Sequence, residues 1–166
     1  MIAQQGNEWL ENAVTPGGYF DISFGCEDIF HYVQEAIHKL GAKYTHDALI
    51  ANLTFGFWTY LFAPKEFAAS GSTLLGAFPN RPFGTKQKVV FQNLIKINDL
   101  RNRIAHHEPI CFENNTVSTN RTERRYKLIL ELLQWLGCNS NQILAGIDEV
   151  SRPLSYISRI NVKRLF

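Results

Sequence analysis

A proline closes the longest helical pattern in this sequence. From near Thr85, apolar residues recur at helical spacing up to Leu100-Arg101-Asn102-Arg103-Ile104-Ala105-His106-His107-Glu108-Pro109. Pro109 lacks an amide hydrogen and clashes with the preceding turn, so it must stop the helix. Most of the other periodic segments also read as helices, so the expected fold class is all-α. Two arginines and two histidines crowd into the seven positions Arg101 to His107, so any chemistry is expected to start there.

Spacing decides which of these side chains could act together. At ~100° per residue, Val90, Ile97, Leu100 and Ile104 form one apolar stripe, with Leu94 at its flank. Arg101 falls beside Leu94 and Ile97, at the edge of that stripe. A guanidinium does not enter apolar surroundings unpaired, so Arg101 is expected to meet a carboxylate or a phosphate. Arg103 follows Asp99 by four residues, the spacing of an ordinary exposed ion pair. His106 lies about 140° round from Arg101 and ~7.5 Å further along a regular helix. The two converge only if the last turn frays or a two-fold axis brings two copies of the patch together. The plainer alternative is a pair of terminal histidines favoured by the helix dipole.

Taken in order, the chain opens with a short segment, Gln4 to Val14, ended by Pro16-Gly17-Gly18. Tyr19 to Phe24 alternates weakly, as a strand fragment or a packed loop would. Asp28 to Leu40 reads as a helix with Ile29, Phe30, Val33, Ile37 and Leu40 on one face, Asp28 as N-cap and Gly41 as stop. Thr45 is expected to cap one long helix, His46 to Phe62, ended by Pro64; its dense aromatics read as core. A short helical piece around Phe67 to Leu75 and a proline-rich turn then lead to Thr85, the expected cap of the motif helix. Beyond Pro109, Ile110 to Phe112 is extended and Glu113 to Thr122 is a polar loop. Arg124 to Leu136 is helical, with Tyr126, Ile129, Leu130, Leu133 and Leu136 inward, and Ser140 caps a shorter helix that Arg152-Pro153 breaks. In the tail, Arg159, Lys163 and Arg164 alternate with Ile160, Val162 and Leu165, which suits either a solvated helix end or an RNA or partner contact.

Composition bounds the rest. At 166 residues, 45% hydrophobic and 19% charged, one globular domain over residues 1–166 is expected. A net charge of +2 gives no large basic field, so RNA binding would need a local patch. Cys26, Cys111 and Cys138 lack metal spacing and suit a reducing compartment. Met1 to Asn7 is too polar to open a secretory signal, and the apolar run Phe55 to Ala63 is too short for a bilayer, so a cytoplasmic protein without membrane contact is expected. The Asn-x-Thr triplets at Asn52, Asn114 and Asn120 are then chance. His107-Glu108-Pro109-Ile110-Cys111 opens like a zinc-protease motif but lacks the second histidine, and no metal or cofactor is expected. Phosphate-loop, nucleophile-elbow and Cys-x-x-Cys patterns are absent from the sequence.

At the motif, Arg101-Asn102 followed by Ala105-His106 resembles the Arg…His signature of the HEPN superfamily. The longer string Leu100 to Ile110 is similar to its Abi-like branch of bacterial phage-defence (abortive infection) proteins. So are Leu53-Thr54-Phe55-Gly56-Phe57-Trp58-Thr59-Tyr60-Leu61 and the turn Ala77-Phe78-Pro79. With the helices around them, the resemblance covers about residues 45–135.

The resemblance implies a HEPN-like helical bundle with long connecting loops; because little helical sequence precedes Asp28, the expectation is a short member, a partial one or one with a degenerate first helix. It also implies a metal-independent endoribonuclease toxin, active as a homodimer with an Arg and a His from each copy at the interface, and in some settings an antitoxin partner. On that reading Arg101 braces the phosphate, His106 transfers protons, and Asn102 orients His106 or the substrate. An inert RNA- or protein-binding module on the same fold is the other reading, with Arg101 and His106 making structural hydrogen bonds.

Overall fold

The computed structural model describes residues 6–114 and 116–163. Gln4 and Gln5 of the opening segment, Asn115, and Arg164 and Leu165 of the basic tail lie outside the described residues, as do the side chains of Ile160, Val162 and Lys163. The protein is mostly helical. Its elements are α1 (Trp9–Ala13), α2 (Tyr19–Ile22), α3 (Glu27–Leu40), α4 (His46–Asn52), α5 (Phe55–Tyr60), α6 (Pro64–Ala69), α7 (Gln87–Ala105), α8 (Asn120–Trp135), α9 (Ser140–Ile143) and α10 (Ser151–Lys163). Short 3-10 turns cover Gly41–Lys43 and Leu74–Ala77, and β1 (Phe112–Glu113) pairs antiparallel with β2 (Thr116–Val117), Phe112 opposite Val117. Among the described residues, no helix is long and apolar enough to cross a membrane.

Contacts divide the chain into two compact units, residues 6–77 with 85–92 and residues 78–84 with 93–163. In the first, Leu10, Ala13, Val14, Phe20, Ile29, Val33, Leu49, Phe57 and Leu61 form one buried cluster. The inward face of α3 is the one its spacing predicts, with Ile29 and Val33 buried and Phe30, Ile37 and Leu40 packed at the margin. Its start is not: Cys26, fully buried, takes the N-cap place, so Asp28 sits in the first turn. Tyr19 to Phe24 is not a strand: Tyr19–Ile22 is the single turn α2, which packs Phe20 into the core as the packed-loop alternative would, and Ser23 and Phe24 continue as a bend and turn.

The helix expected from His46 to Phe62 is two helices. Thr45 Oγ1 accepts from the Ala48 amide at 3.1 Å, as expected. Leu53 then turns extended (φ −77°, ψ 136°), and Thr54 Oγ1 accepts from the Phe57 amide at 3.3 Å to cap α5. A hydroxyl that satisfies an orphan amide offers the backbone an alternative to continuing the helix. The preceding helix stops at Tyr60, and Pro64 opens the next one: α6 carries it in its first turn, where no intrahelical amide is needed.

In the second unit, Leu94 and Leu100 of α7, Leu132 and Trp135 of α8, Phe78 and Leu154 are buried. The Asn80 amide donates to the Trp135 carbonyl at 3.0 Å, tying the proline-rich turn to the end of α8. That end is a Schellman motif: Gly137 holds φ 80°, and Cys138 N–H reaches the Leu133 carbonyl at 2.9 Å. Several expected boundaries move. The Lys86 carbonyl accepts the first bonds of α7, so Thr85 is not its cap. α8 begins at Asn120, because Thr122 is buried and its hydroxyl donates to the Ile110 carbonyl at 2.7 Å; the expected polar loop is therefore a hairpin and a helix start. Leu136, expected inward, is exposed. Asn139 rather than Ser140 caps α9, accepting from the Gln142 amide at 3.3 Å. Pro153 does not break a helix but lies in the first turn of α10, where its missing amide costs nothing.

Candidate functional site

The motif closes α7 within the second unit. His106 N–H donates to the Asn102 carbonyl at 2.9 Å, His107 N–H to Ile104 at 3.1 Å and Glu108 N–H to Arg103 at 2.8 Å. His107 is left-handed at φ 56°. The last two bonds and that conformation make a second Schellman motif, with histidine where glycine is usual. The helix thus ends at Ala105, before the proline clash is felt.

Arg103 holds this turn shut. Its Nη2 donates to the Pro109 carbonyl at 2.6 Å, and its Nε lies 3.3 Å from Glu108 Oε2. The expected Asp99–Arg103 pair is not formed, because Asp99 reaches across to Arg121 of α8 instead. A contact between two packed helices is invisible to a spacing rule that sees only one of them.

Arg101 departs from the expectation in the other direction. It is exposed, and Ile104, assigned to the same apolar stripe, is 54% exposed, so the buried line of α7 ends at Leu100. Arg101 meets no carboxylate among the described residues; its Nη1 donates to Asn102 Oδ1 at 3.1 Å. Asn102 therefore touches both flanking members of the motif, Arg101 through its side chain and His106 through its carbonyl. The imidazoles of His106 and His107 are exposed and make no hydrogen bond among the described residues.

Sequence reasoning passed over a second set of cations. On α8, Arg121 pairs with Asp99 and Arg124 with Glu113 at 3.2 Å. Arg125 has no hydrogen-bond or ion-pair partner among the described residues, although its Nε is sealed from solvent. Burial pulls its pKa below the ordinary arginine value, and Arg121 pulls the same way against the weaker opposing pull of Asp99.

The first unit carries a separate cleft of about 680 Å³, lined by Asp28, Ile29, Tyr32, Phe57, Tyr60 and Lys65 among others. Lys65 Nζ sits 5.0 Å from the centre of the exposed Phe24 ring. Nearby, burial and then the Glu66 and Glu27 carboxylates push the Cys26 thiol up, which makes it a poor nucleophile. Among the described residues, no three His, Cys, Asp or Glu side chains are grouped as metal ligands would be.

Comparison of the chain with protein-family models, with curated proteins and with solved structures gives no match.

Proposed function

We propose that this chain is a HEPN-like protein of the Abi-like type, a metal-independent endoribonuclease of phage defence that cuts RNA as a homodimer. The observation that carries the reading is how the two motif arginines are used. Arg103 is committed to the fold, through Pro109 and Glu108. Among the described residues Arg101 is bonded only to Asn102, at the surface, where a substitution usually changes stability by less than about 0.5 kcal/mol. It keeps donors free for a phosphate.

In the proposed reaction, a base takes the proton of the ribose 2′-hydroxyl and that oxygen attacks the adjacent phosphorus. The bond to the 5′-oxygen breaks, an acid protonates the leaving oxygen, and a 2′,3′-cyclic phosphate remains. The His106 imidazoles of two copies supply base and acid, and Arg101 offsets the charge that builds on the phosphorane. Asn102 acts as a positioning residue, through the contacts it makes to Arg101 and His106. Exposed Arg101 also weighs against the inert-module reading, which needs this arginine as a structural strut. An antitoxin partner belongs to the same proposal.

Purified protein is expected to cut single-stranded RNA in EDTA. Arg101→Ala and His106→Ala should each abolish cutting while leaving the helical circular dichroism and the unfolding midpoint within about 0.5 kcal/mol of wild type. Cutting that survives both substitutions would refute the assignment.

A further inference from the structure

A half-buried guanidinium calls for an anion, and in this protein the one whose call goes unanswered among the described residues is Arg125. Its Nε is closed to water and unbonded. Asp99, whose charge acts on it, is already engaged by Arg121, and its neighbour Arg124 has taken Glu113. Glu123 accepts from the Thr119 hydroxyl at 2.6 Å. Arg121 stands one helical turn before Arg125, a like-charge spacing that destabilises an isolated helix. Keeping both arginines there costs the unliganded fold something, and a bound anion returns it.

We propose that Arg125, backed by Arg121, receives a phosphodiester of single-stranded RNA. The choice of RNA rests on the endoribonuclease reading; the need for an anion does not. Two further observations favour an extended polyanion over an isolated ion. Arg124 and Lys127 are exposed on the same helix, and Asp99, which orients Arg121, lies two residues before Arg101 in the second unit. The pull of burial and of Arg121 on Arg125 runs in the direction an unfilled anion site requires. Arg125 would bind and orient the strand and touch no reacting atom.

The test compares His106→Ala, which keeps RNA intact, with His106→Ala/Arg125→Met, using fluorescence anisotropy of a labelled single-stranded RNA across a salt series. Losing one phosphate contact should weaken binding about tenfold and reduce the slope of log K against log salt by about 0.7. Met keeps the aliphatic stem, so in the absence of RNA the Arg125→Met midpoint should rise. Unchanged affinity and slope would overturn the proposal, as would a fall in the midpoint, which would make Arg125 a structural residue. Equal Arg125-dependent binding of poly-glutamate would also overturn it, by showing a carboxylate site. RNA that binds through Arg125 but is never cut by wild type sinks the nuclease reading alone. RNA that is cut and bound identically by Arg125→Met sinks this one alone.

Discussion

The left-handed histidine at the end of α7 makes a prediction that separates the two motif histidines. His107 holds φ 56° because the Schellman bonds from His107 and Glu108 fold the chain back over the last turn. A left-handed conformation costs a non-glycine residue about 1–2 kcal/mol. Glycine removes that cost but brings roughly 0.5–1 kcal/mol of extra chain freedom in the unfolded state. The exposed imidazole makes no hydrogen bond among the described residues, so His107→Gly should stabilise the protein by about 0.5–1 kcal/mol. For a chain of this size that raises the thermal midpoint by roughly 1–4 °C. His107→Val, branched at Cβ, should lower it by more than that. Urea and thermal unfolding of the two variants against wild type measure both shifts, and RNA cutting by His107→Gly should persist. A destabilised glycine variant would mean that His107 has a partner worth more than its strain. A glycine variant that is stable but catalytically dead would move the imidazole role from His106 to His107.

Three further substitutions probe the first unit. Thr54→Ala removes the hydroxyl that caps α5 and should cost about 1 kcal/mol, while Thr54→Asp should restore most of it; equal stability of all three proteins would show that the cap does not separate α4 from α5. His46 packs its ring edge-on to Trp9 at 6.2 Å with both nitrogens sealed and without a hydrogen-bond partner among the described residues. His46→Phe keeps the ring and removes the unsatisfied atoms, so the urea midpoint should rise by the equivalent of about 1 kcal/mol; a fall would reveal a partner for the imidazole. The Tyr44 hydroxyl donates to Glu11, and burial first, then that carboxylate, raises its pKa above the ordinary value. Below about pH 10 both folded and unfolded chains keep this proton and the full stability is present. Above it only the unfolded chain loses the proton, so stability falls as pH rises towards the folded value. Tyr44→Phe should be weaker at pH 8 yet lose less between pH 9 and 11, and parallel losses would contradict the assignment.

Helix periodicity carried well wherever one face of one element decides the outcome. The inward side of α3, the cap at Thr45 and the long motif helix followed from spacing and capping chemistry alone. What spacing could not weigh was competition. Thr54 can continue a helix or cap the next one, and the choice depends on Phe57 and Leu61 reaching the core from a restarted helix. Pro153 reads as a breaker until something fixes whether it falls at the end of one helix or in the first turn of another. The inward shift of α8 towards Thr122, Leu132 and Trp135 is set by neighbours far along the chain, among them the Ile110 carbonyl and the Asn80 amide. At the candidate site the seven crowded positions were legible, but the division of labour among them was not.

That division reverses the sequence argument for Arg101 while leaving its physics intact. A guanidinium drawn into apolar surroundings does need an anion, but a helical wheel cannot say which arginine is drawn in, because burial depends on what packs beside the helix. Here Arg103 is the motif arginine pulled inward, and it finds Glu108 and Pro109. Arg125 is half-buried without a partner among the described residues, and Arg101 stays in water. The case for Arg101 as a phosphate ligand therefore cannot be that burial compels an anion upon it. It is that an arginine with no structural employment, joined through Asn102 to the backbone of an equally unemployed histidine, loses nothing from the fold by turning to a substrate. The compulsion belongs to Arg125, which is why stability should respond to that substitution and catalysis to the other.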